Sequence, residues 1–227
     1  MLSRPSSCLL LALIAASPAV ATQKRSDFQI WPVAGITVPV SEHVETTTDV
    51  LLGFTDGASR AGGQLLLRAI VSYRLSERLS VGGGYTYIRM DDGIGARFKE
   101  HRTVQDALFR SSTERSRPVF ILRSRLEERL REGERGTALR LRLLTRINFP
   151  LTGDGPGVVA WNEMFCAIDQ RSWSGRRGLA FTLSFLGLSI PLSENVKVEP
   201  GYLNQTYLAR GDDRVRHVLA VFLTARL

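Results

Sequence analysis

The sequence predicts an all-β protein: a closed, antiparallel transmembrane β-barrel of ten to twelve strands that follows a cleaved signal peptide. Three observations lead to this prediction. Apolar and polar residues alternate with a period of two along most of the chain, which is typical of strands with two different faces. Most alternating segments are about as long as a bilayer-crossing strand, which needs roughly 9 to 11 residues. The N-terminus has the pattern of an export signal.

The composition excludes several other classes of protein. The chain has 227 residues, of which 44% are hydrophobic and 23% charged, so it is expected to fold into one ordered domain. The only cysteines are Cys8 and Cys166, too few for a disulfide-stapled scaffold. An apolar run of about 18 residues, as a membrane-spanning helix requires, does not occur.

Residues 1–21 are predicted to be a signal peptide, which leaves residues 22–227 as a single barrel domain. Arg4 gives the segment a charged start, residues 8–16 form a short apolar core, and Ala19 and Ala21 form a small-x-small cleavage site. The net charge of +8 would ordinarily suggest nucleic acid. Export argues against that partner, so none is predicted.

The first four alternating segments span residues 28–40, 44–54, 64–75 and 79–87, and short turns separate some of them. Residues 137–149 show the pattern most clearly, with Leu139, Leu141 and Leu143 on one face and Arg140 and Arg142 on the other. A helix would distribute those leucines around its circumference. The segment is therefore interpreted as a strand.

Two regions allow more than one interpretation. Residues 119–130 also fit a helix, because Leu122, Leu126 and Leu130 are four residues apart, but a strand pairs better with the segment that follows. Residues 98–109 are either part of a long loop or a further strand. Four later segments, residues 158–169, 178–191, 196–207 and 214–227, complete the pattern, and Pro200 predicts a bulge in one of them.

Strand length favours a membrane barrel over a soluble sandwich, whose strands average about five or six residues. In such a barrel the apolar faces contact lipid and the charged faces line the interior. Aromatic residues near strand ends suit the two interfacial girdles. The candidates for the girdles are Trp31, Phe54, Tyr73, Trp161 and Tyr207.

The register predicts an interior rich in arginine. The inward basic residues are Arg68, Arg74, Arg123, Arg125, Arg129, Arg140, Arg142, Arg146 and Lys197, and the inward acids are Glu45, Asp49, Glu127 and Glu199. The candidate lumen or binding residues are Arg123, Arg125, Glu127, Arg129, Arg140, Arg142 and Arg146. If the interior is hydrated, these arginines attract anions. If side chains fill it, Glu127 bridges Arg125, Arg129 or Arg140 across the hairpin and the network is structural.

Catalysis is a weaker alternative. The one local cluster with suitable chemistry is His101 with Glu100, Asp106 and either Ser111 or Ser112, which would require a base within reach of a nucleophile. The sequence otherwise predicts no catalytic residue, no metal site and no cofactor. The protein is therefore not expected to be an enzyme.

Several short motifs resemble one family. They are Trp31, the alternating run from Arg123 to Arg129, the Arg140-x-Arg142 pair, Trp161-Asn162-Glu163 and the stretch from Gly201 to Gln205. Together they resemble the domain-of-unknown-function 2490 family. The resemblance implies an exported bacterial protein with an outer-membrane barrel and no established activity.

The predicted function is an outer-membrane barrel whose arginine-rich lumen is structural or passes small, preferentially anionic solutes. The expected partners are outer-membrane lipid, the barrel-assembly machinery and small anionic solutes. Two alternatives remain open: a soluble periplasmic barrel that binds an acidic or lipid-like ligand, and a lipid-modifying enzyme of the outer membrane.

Overall fold

The fold is an eleven-stranded barrel. The computed structural model describes residues 26–55, 59–91, 97–114, 116–208 and 214–227, so the predicted signal peptide lies outside the described residues. The strands are β1 (Ser26–Pro39), β2 (Val44–Thr55), β3 (Arg60–Arg74), β4 (Leu79–Asp91), β5 (Arg97–Arg110), β6 (Val119–Arg131), β7 (Ala138–Pro150), β8 (Gly157–Ala167), β9 (Gly178–Pro191), β10 (Val196–Tyr207) and β11 (Val215–Arg226). None of the described residues forms a helix long and apolar enough to cross a membrane.

The barrel closes through a parallel pair, and this corrects the prediction of a wholly antiparallel sheet. Each strand pairs with the next in an antiparallel ladder, and β1 then pairs with β11. That last ladder is parallel, from Ser26 opposite Val215 to Thr37 opposite Arg226. The reason is topological: in a meander with an odd number of strands, the first and the last run in the same direction.

The two ambiguous regions are both strands. Residues 98–109 lie within β5, which pairs with β4 and β6 over its whole length. Residues 119–130 lie within β6, which pairs with β5 and β7. The predicted bulge at Pro200 is wrong: the register of β10 does not shift against β9 or β11, so the proline is accommodated without an extra residue.

The two ends of the barrel differ. At one end, here called the turn end, short connections join β1 to β2, β3 to β4 and β9 to β10, and β11 finishes there. At the opposite end, the loop end, residues 168–177 connect β8 to β9. Within the β6–β7 connection Gly133 and Gly136 have φ angles of 79° and 78°. That region of backbone space suits glycine because it has no Cβ.

An apolar cluster fills part of the barrel interior. It contains Trp31, Val159, Phe185, Leu203, Val218 and Ala220, with Leu51, Trp161, Leu183 and Phe222 packed against it. Trp161 stacks on Phe185 at 5.3 Å between ring centroids. The assignment of Trp31 and Trp161 to interfacial girdles is therefore wrong, because both residues lie on the inner face of their strands.

Candidate functional site

The remainder of the interior holds a network of ion pairs on the inner faces of β5 to β8. Glu127 of β6 lies at its centre. Its Oε2 accepts a hydrogen bond from Arg140 Nε at 2.9 Å, and its Oε1 accepts one from Arg142 Nη1 at 2.7 Å. These contacts form because Glu127 is directly opposite Arg140 in the β6–β7 register, and cross-strand neighbours share one face.

Arg142 links this centre to a second carboxylate, Glu163 of β8. Its Nε and Nη2 donate to the two oxygens of Glu163 at 3.0 and 2.8 Å, while its Nη1 bonds Glu127. Arg123 Nη2 also donates to Glu163 Oε1, at 2.7 Å. One planar guanidinium thus connects two buried acids, a geometry that arginine supports and lysine does not.

A third carboxylate, that of Glu100 in β5, lies nearer the loop end and contacts several arginines. Arg129 binds it with two hydrogen bonds, of 2.7 and 2.9 Å. Arg102 Nε donates to it at 2.6 Å, and Arg102 Nη1 lies 3.6 Å from Glu127. Arg102 therefore joins the Glu100 and Glu127 groups into one continuous network.

Smaller pairs surround this centre. Arg125 makes two hydrogen bonds to Asp106, and Arg68 Nε donates to Asp49 at 2.8 Å. Nearer the turn end, Glu199 accepts from Arg146 at 2.6 Å and from Lys197 at 2.9 Å. Asp106 and Asp49 each lie opposite their arginine on the adjacent strand. Glu199 instead takes Lys197 from its own strand and Arg146 from β7, so each of these carboxylates has at least one cationic partner.

The network is closely packed. Glu100, Glu127 and Arg125 are exposed by 0, 1 and 2% of their surface. A passage wide enough for water would leave such side chains accessible, so around these three residues the interior is filled. Some polar atoms are buried without a hydrogen bond, among them Arg123 Nε and Arg125 Nη1. Burying a guanidinium group costs free energy unless a counter-charge pairs with it. The buried carboxylates supply that counter-charge.

Six of the seven residues that the sequence singled out take part in this network, and the seventh forms a separate pair. Arg123, Arg125, Glu127, Arg129, Arg140 and Arg142 join the Glu100, Glu127, Glu163 and Asp106 groups, and Arg146 pairs with Glu199. Of the contacts predicted for Glu127, the one with Arg140 forms, whereas Arg125 binds Asp106 and Arg129 binds Glu100.

Sequence reasoning missed five members: Glu100, Arg102 and Asp106 of β5, Arg131 of β6, whose Nη2 lies 3.4 Å from Glu100 Oε2, and Glu163 of β8. A signal for three of them was present, because Glu100, Arg102, Val104 and Asp106 share one parity within residues 98–109. Since residues 98–109 also fitted a loop, this shared parity did not assign them to the interior. These acids supply the carboxylates that the predicted interior lacked.

The candidate catalytic cluster does not assemble. Glu100 and Asp106 face the interior, whereas His101 lies on the outer face, where it bonds Tyr85 and lies 3.3 Å from Glu132. Successive residues of a strand point to opposite faces, so the wall of the barrel separates the histidine from both acids. The hydrogen bond with His101, assisted by Lys99, lowers the pKa of Glu132.

A loop covers the network at the loop end. Trp173, in the β8–β9 connection, is 9% exposed, and its ring lies 5.4 and 4.9 Å from the guanidinium carbons of Arg129 and Arg131. Its Nε1 donates to the carbonyl oxygen of Arg135 at 3.4 Å. The indole therefore packs over two members of the network and ties two loops together.

The outer face of the wall is largely apolar. Large hydrophobic side chains are exposed on many strands, including Leu67, Val71, Phe120, Leu122, Phe149, Leu186, Leu188, Tyr202, Leu219 and Leu223. In β9, for example, Leu186 and Leu188 are exposed, whereas Phe185, on the opposite face of the same strand, is buried. An apolar surface of this extent marks contact with an apolar surrounding or a partner.

Comparison with known proteins gives two matches. The family model described as "Protein of unknown function (DUF2490)" matches residues 28–216. An uncharacterized protein of Methylorubrum extorquens (strain AM1) is 30% identical over 220 residues, which cover 95% of each chain. No solved structure matches the chain.

Proposed function

The chain belongs to the DUF2490 family of proteins of unknown function, and we propose that it is a bacterial outer-membrane β-barrel whose interior network has a structural role. The observation that carries this proposal is the distribution of residues across the wall. Exposed leucine, valine and aromatic side chains cover the outside, while ion pairs and an apolar cluster fill the inside. Such an inverted surface is stable in lipid and costly in water.

Two further features support a membrane location. Each strand has 11 to 15 residues, which meets the length of roughly 9 to 11 that a tilted bilayer-crossing strand requires. Residues 1–21 have the pattern of a cleaved export signal. The proposed partners are outer-membrane lipid and the machinery that assembles barrels, and the proposal assigns no catalytic residue.

The structural role follows from burial and pairing. Arginine side chains that line an open pore would be hydrated, but Arg125, Arg140 and Arg142 are buried against carboxylates. Breaking a buried pair by removing one partner costs about 3–5 kcal/mol. The network therefore holds the inner faces of β5 to β8 together.

Location is tested by fractionation and by migration on gels. The protein should appear in the outer-membrane fraction and should migrate faster before heating than after it. Release by osmotic shock would favour the soluble periplasmic barrel instead. In brominated-lipid vesicles, Trp31 and Trp161 should be weakly quenched. Phe120→Trp, on the exposed outer face, should add a strongly quenched signal.

Passage of small anions is a second candidate, because arginines outnumber carboxylates in the network. Conductance across a planar bilayer tests it. A closed interior should leave the bilayer insulating. An anion-selective current that falls when Arg123, Arg125 and Arg142 are replaced by alanine would favour passage and contradict the closed barrel.

A further inference from the structure

A cavity at the turn end of the barrel is separate from the ion-pair network. It has a volume of about 250 Å³ and lies among the β1–β2 and β3–β4 turns, the end of β5 and the end of β11. Since a water molecule takes up about 30 Å³ of liquid, the cavity has room for a small solute. We propose that it binds a phosphate group.

The positive charge at the cavity exceeds the negative charge. Four arginines line it, Arg74, Arg78, Arg110 and Arg226, against two acidic residues, Glu45 and Glu77. Glu45 is already engaged, because its Oε2 lies 2.9 Å from Arg226 Nη1. The chemistry of the walls therefore favours an anion.

Two of the four arginines form no hydrogen bond or ion pair through their side chains with the described residues. Arg74 donates to the carbonyl oxygen of Glu42, and Arg226 pairs with Glu45. Within the described part of the chain, the side chains of Arg78 and Arg110 have no hydrogen-bond or ion-pair partner. Since two guanidinium groups can hold a phosphate by several hydrogen bonds, these two residues are the proposed ligands.

The hydroxyl groups of the turns fit the same ligand. Ser41 Oγ accepts a hydrogen bond from the N–H of Val44, and Ser76 Oγ accepts one from the N–H of Leu79, both at 3.1 Å. Each oxygen is used as an acceptor, so each hydroxyl keeps its hydrogen for donation. The cavity thus combines guanidinium and hydroxyl donors, which match the acceptor oxygens of phosphate.

The test measures binding of inorganic phosphate to the full barrel in detergent by calorimetry. Arg78→Gln and Arg110→Gln should each weaken the affinity at least tenfold. Neither substitution leaves a carboxylate unpaired, so folding should be unaffected, and unchanged migration of the unheated protein checks this. Arg176→Gln is the matched control: it removes the same charge from an exposed position in the β8–β9 connection at the loop end.

A second measurement locates the ligand. Among His43, His101 and His217, His43 lines the cavity, whereas the other two contact Tyr85 and Tyr202 on the outer face. Phosphate should shift the ring resonances of His43 and leave those of His217 unchanged. The absence of saturable binding, equal loss in Arg176→Gln, or equal shifts in both rings would overturn the proposal.

Two phosphate sources are then compared. Glycerol phosphate and micellar phosphatidylglycerol are each added to the protein in a zwitterionic detergent. A shift of His43 with glycerol phosphate identifies a soluble ligand, and a shift with the lipid alone identifies a headgroup; both support a phosphate site. The proposed phosphate site does not depend on the proposed outer-membrane location. Phosphate binding to the purified barrel can be measured whether or not the protein fractionates with the outer membrane.

Discussion

Glu127 and Glu128 are neighbours in the chain but lie on opposite faces of the barrel wall. Glu127 is buried and bonds Arg140 and Arg142, whereas Glu128 accepts a hydrogen bond from Thr103 on the outside at 3.0 Å. Two chemically identical side chains therefore occupy the interior network and the outer surface, and they offer a matched pair for mutation.

Glu127→Gln should destabilise the barrel strongly, because it leaves buried guanidinium groups without their counter-charge. We expect a loss of about 3–5 kcal/mol, measured by urea unfolding of the refolded protein. Glu128→Gln makes the same chemical change at a half-buried position on the outer face, where the amide oxygen can still accept from Thr103, and should stay within about 0.5 kcal/mol. Equal effects at the two positions would show that the network does not stabilise the fold.

Leu186→Arg tests the surroundings of the outer face. Leu186 lies near the middle of β9 and is 60% exposed, so in a bilayer the new charge should cost about 2–4 kcal/mol. Leu192→Arg, at an equally exposed position in the β9–β10 turn, should have little effect. The two variants are compared by unfolding in lipid vesicles. No difference between them would be the behaviour of a soluble barrel.

Gly201→Ala should disturb the apolar cluster. A Cβ at Gly201 would lie 2.5 Å from the carbonyl oxygen of Leu186 and 2.5 Å from the ring of Phe185. Overpacking of this kind costs about 1–3 kcal/mol, and thermal unfolding should detect it. Gly83→Ala is the control, since its new Cβ would make one ordinary contact at 3.6 Å. Tolerance of both substitutions would argue against the close approach of β9 and β10.

A disulfide can test the parallel pairing of β1 with β11. Ala34 lies opposite Leu223, so cysteines at these two positions should form an intramolecular bond in a Cys166→Ser background. Pairing Ala34 with Ala225 instead combines an offset of about 6.6 Å along the strand with the roughly 4.8 Å between neighbouring strands. The two Cα atoms would then be about 8 Å apart, beyond the separation of about 7 Å that a disulfide tolerates. Non-reducing gels separate the cross-linked form. Cross-linking of the second pair alone would mean a different register.

The alternation of residues was enough to predict the strands, because each face of a barrel wall meets a different environment. It identified Arg140 and Arg142 as sharing a face opposite Leu139 and Leu141, and the burial of the two arginines agrees with this. It was insufficient in β5, where polar residues such as Thr103 and Gln105 lie on the outer face. With both faces polar, the strand resembled a loop.

Partners across the barrel were harder to predict than faces. Glu163 bonds Arg142 as a diagonal neighbour, because the β7–β8 register places Phe165 opposite Arg142 and Leu144 opposite Glu163. Register depends on turns and bulges that the alternation does not report. The tryptophans show a similar limit. Tryptophan is a residue type typical of the girdles, but the packing of the interior places Trp31 and Trp161 beside Phe185 and Leu203.

The odd number of strands also determines how the polypeptide is threaded. Because β1 and β11 run side by side in the same direction, the first strand starts at one rim of the cylinder and the last finishes at the other. In the proposed outer-membrane barrel, an epitope placed before Ser26 and another placed after Arg226 would therefore emerge on opposite sides of the bilayer, whereas an even-stranded meander would present both on the same side.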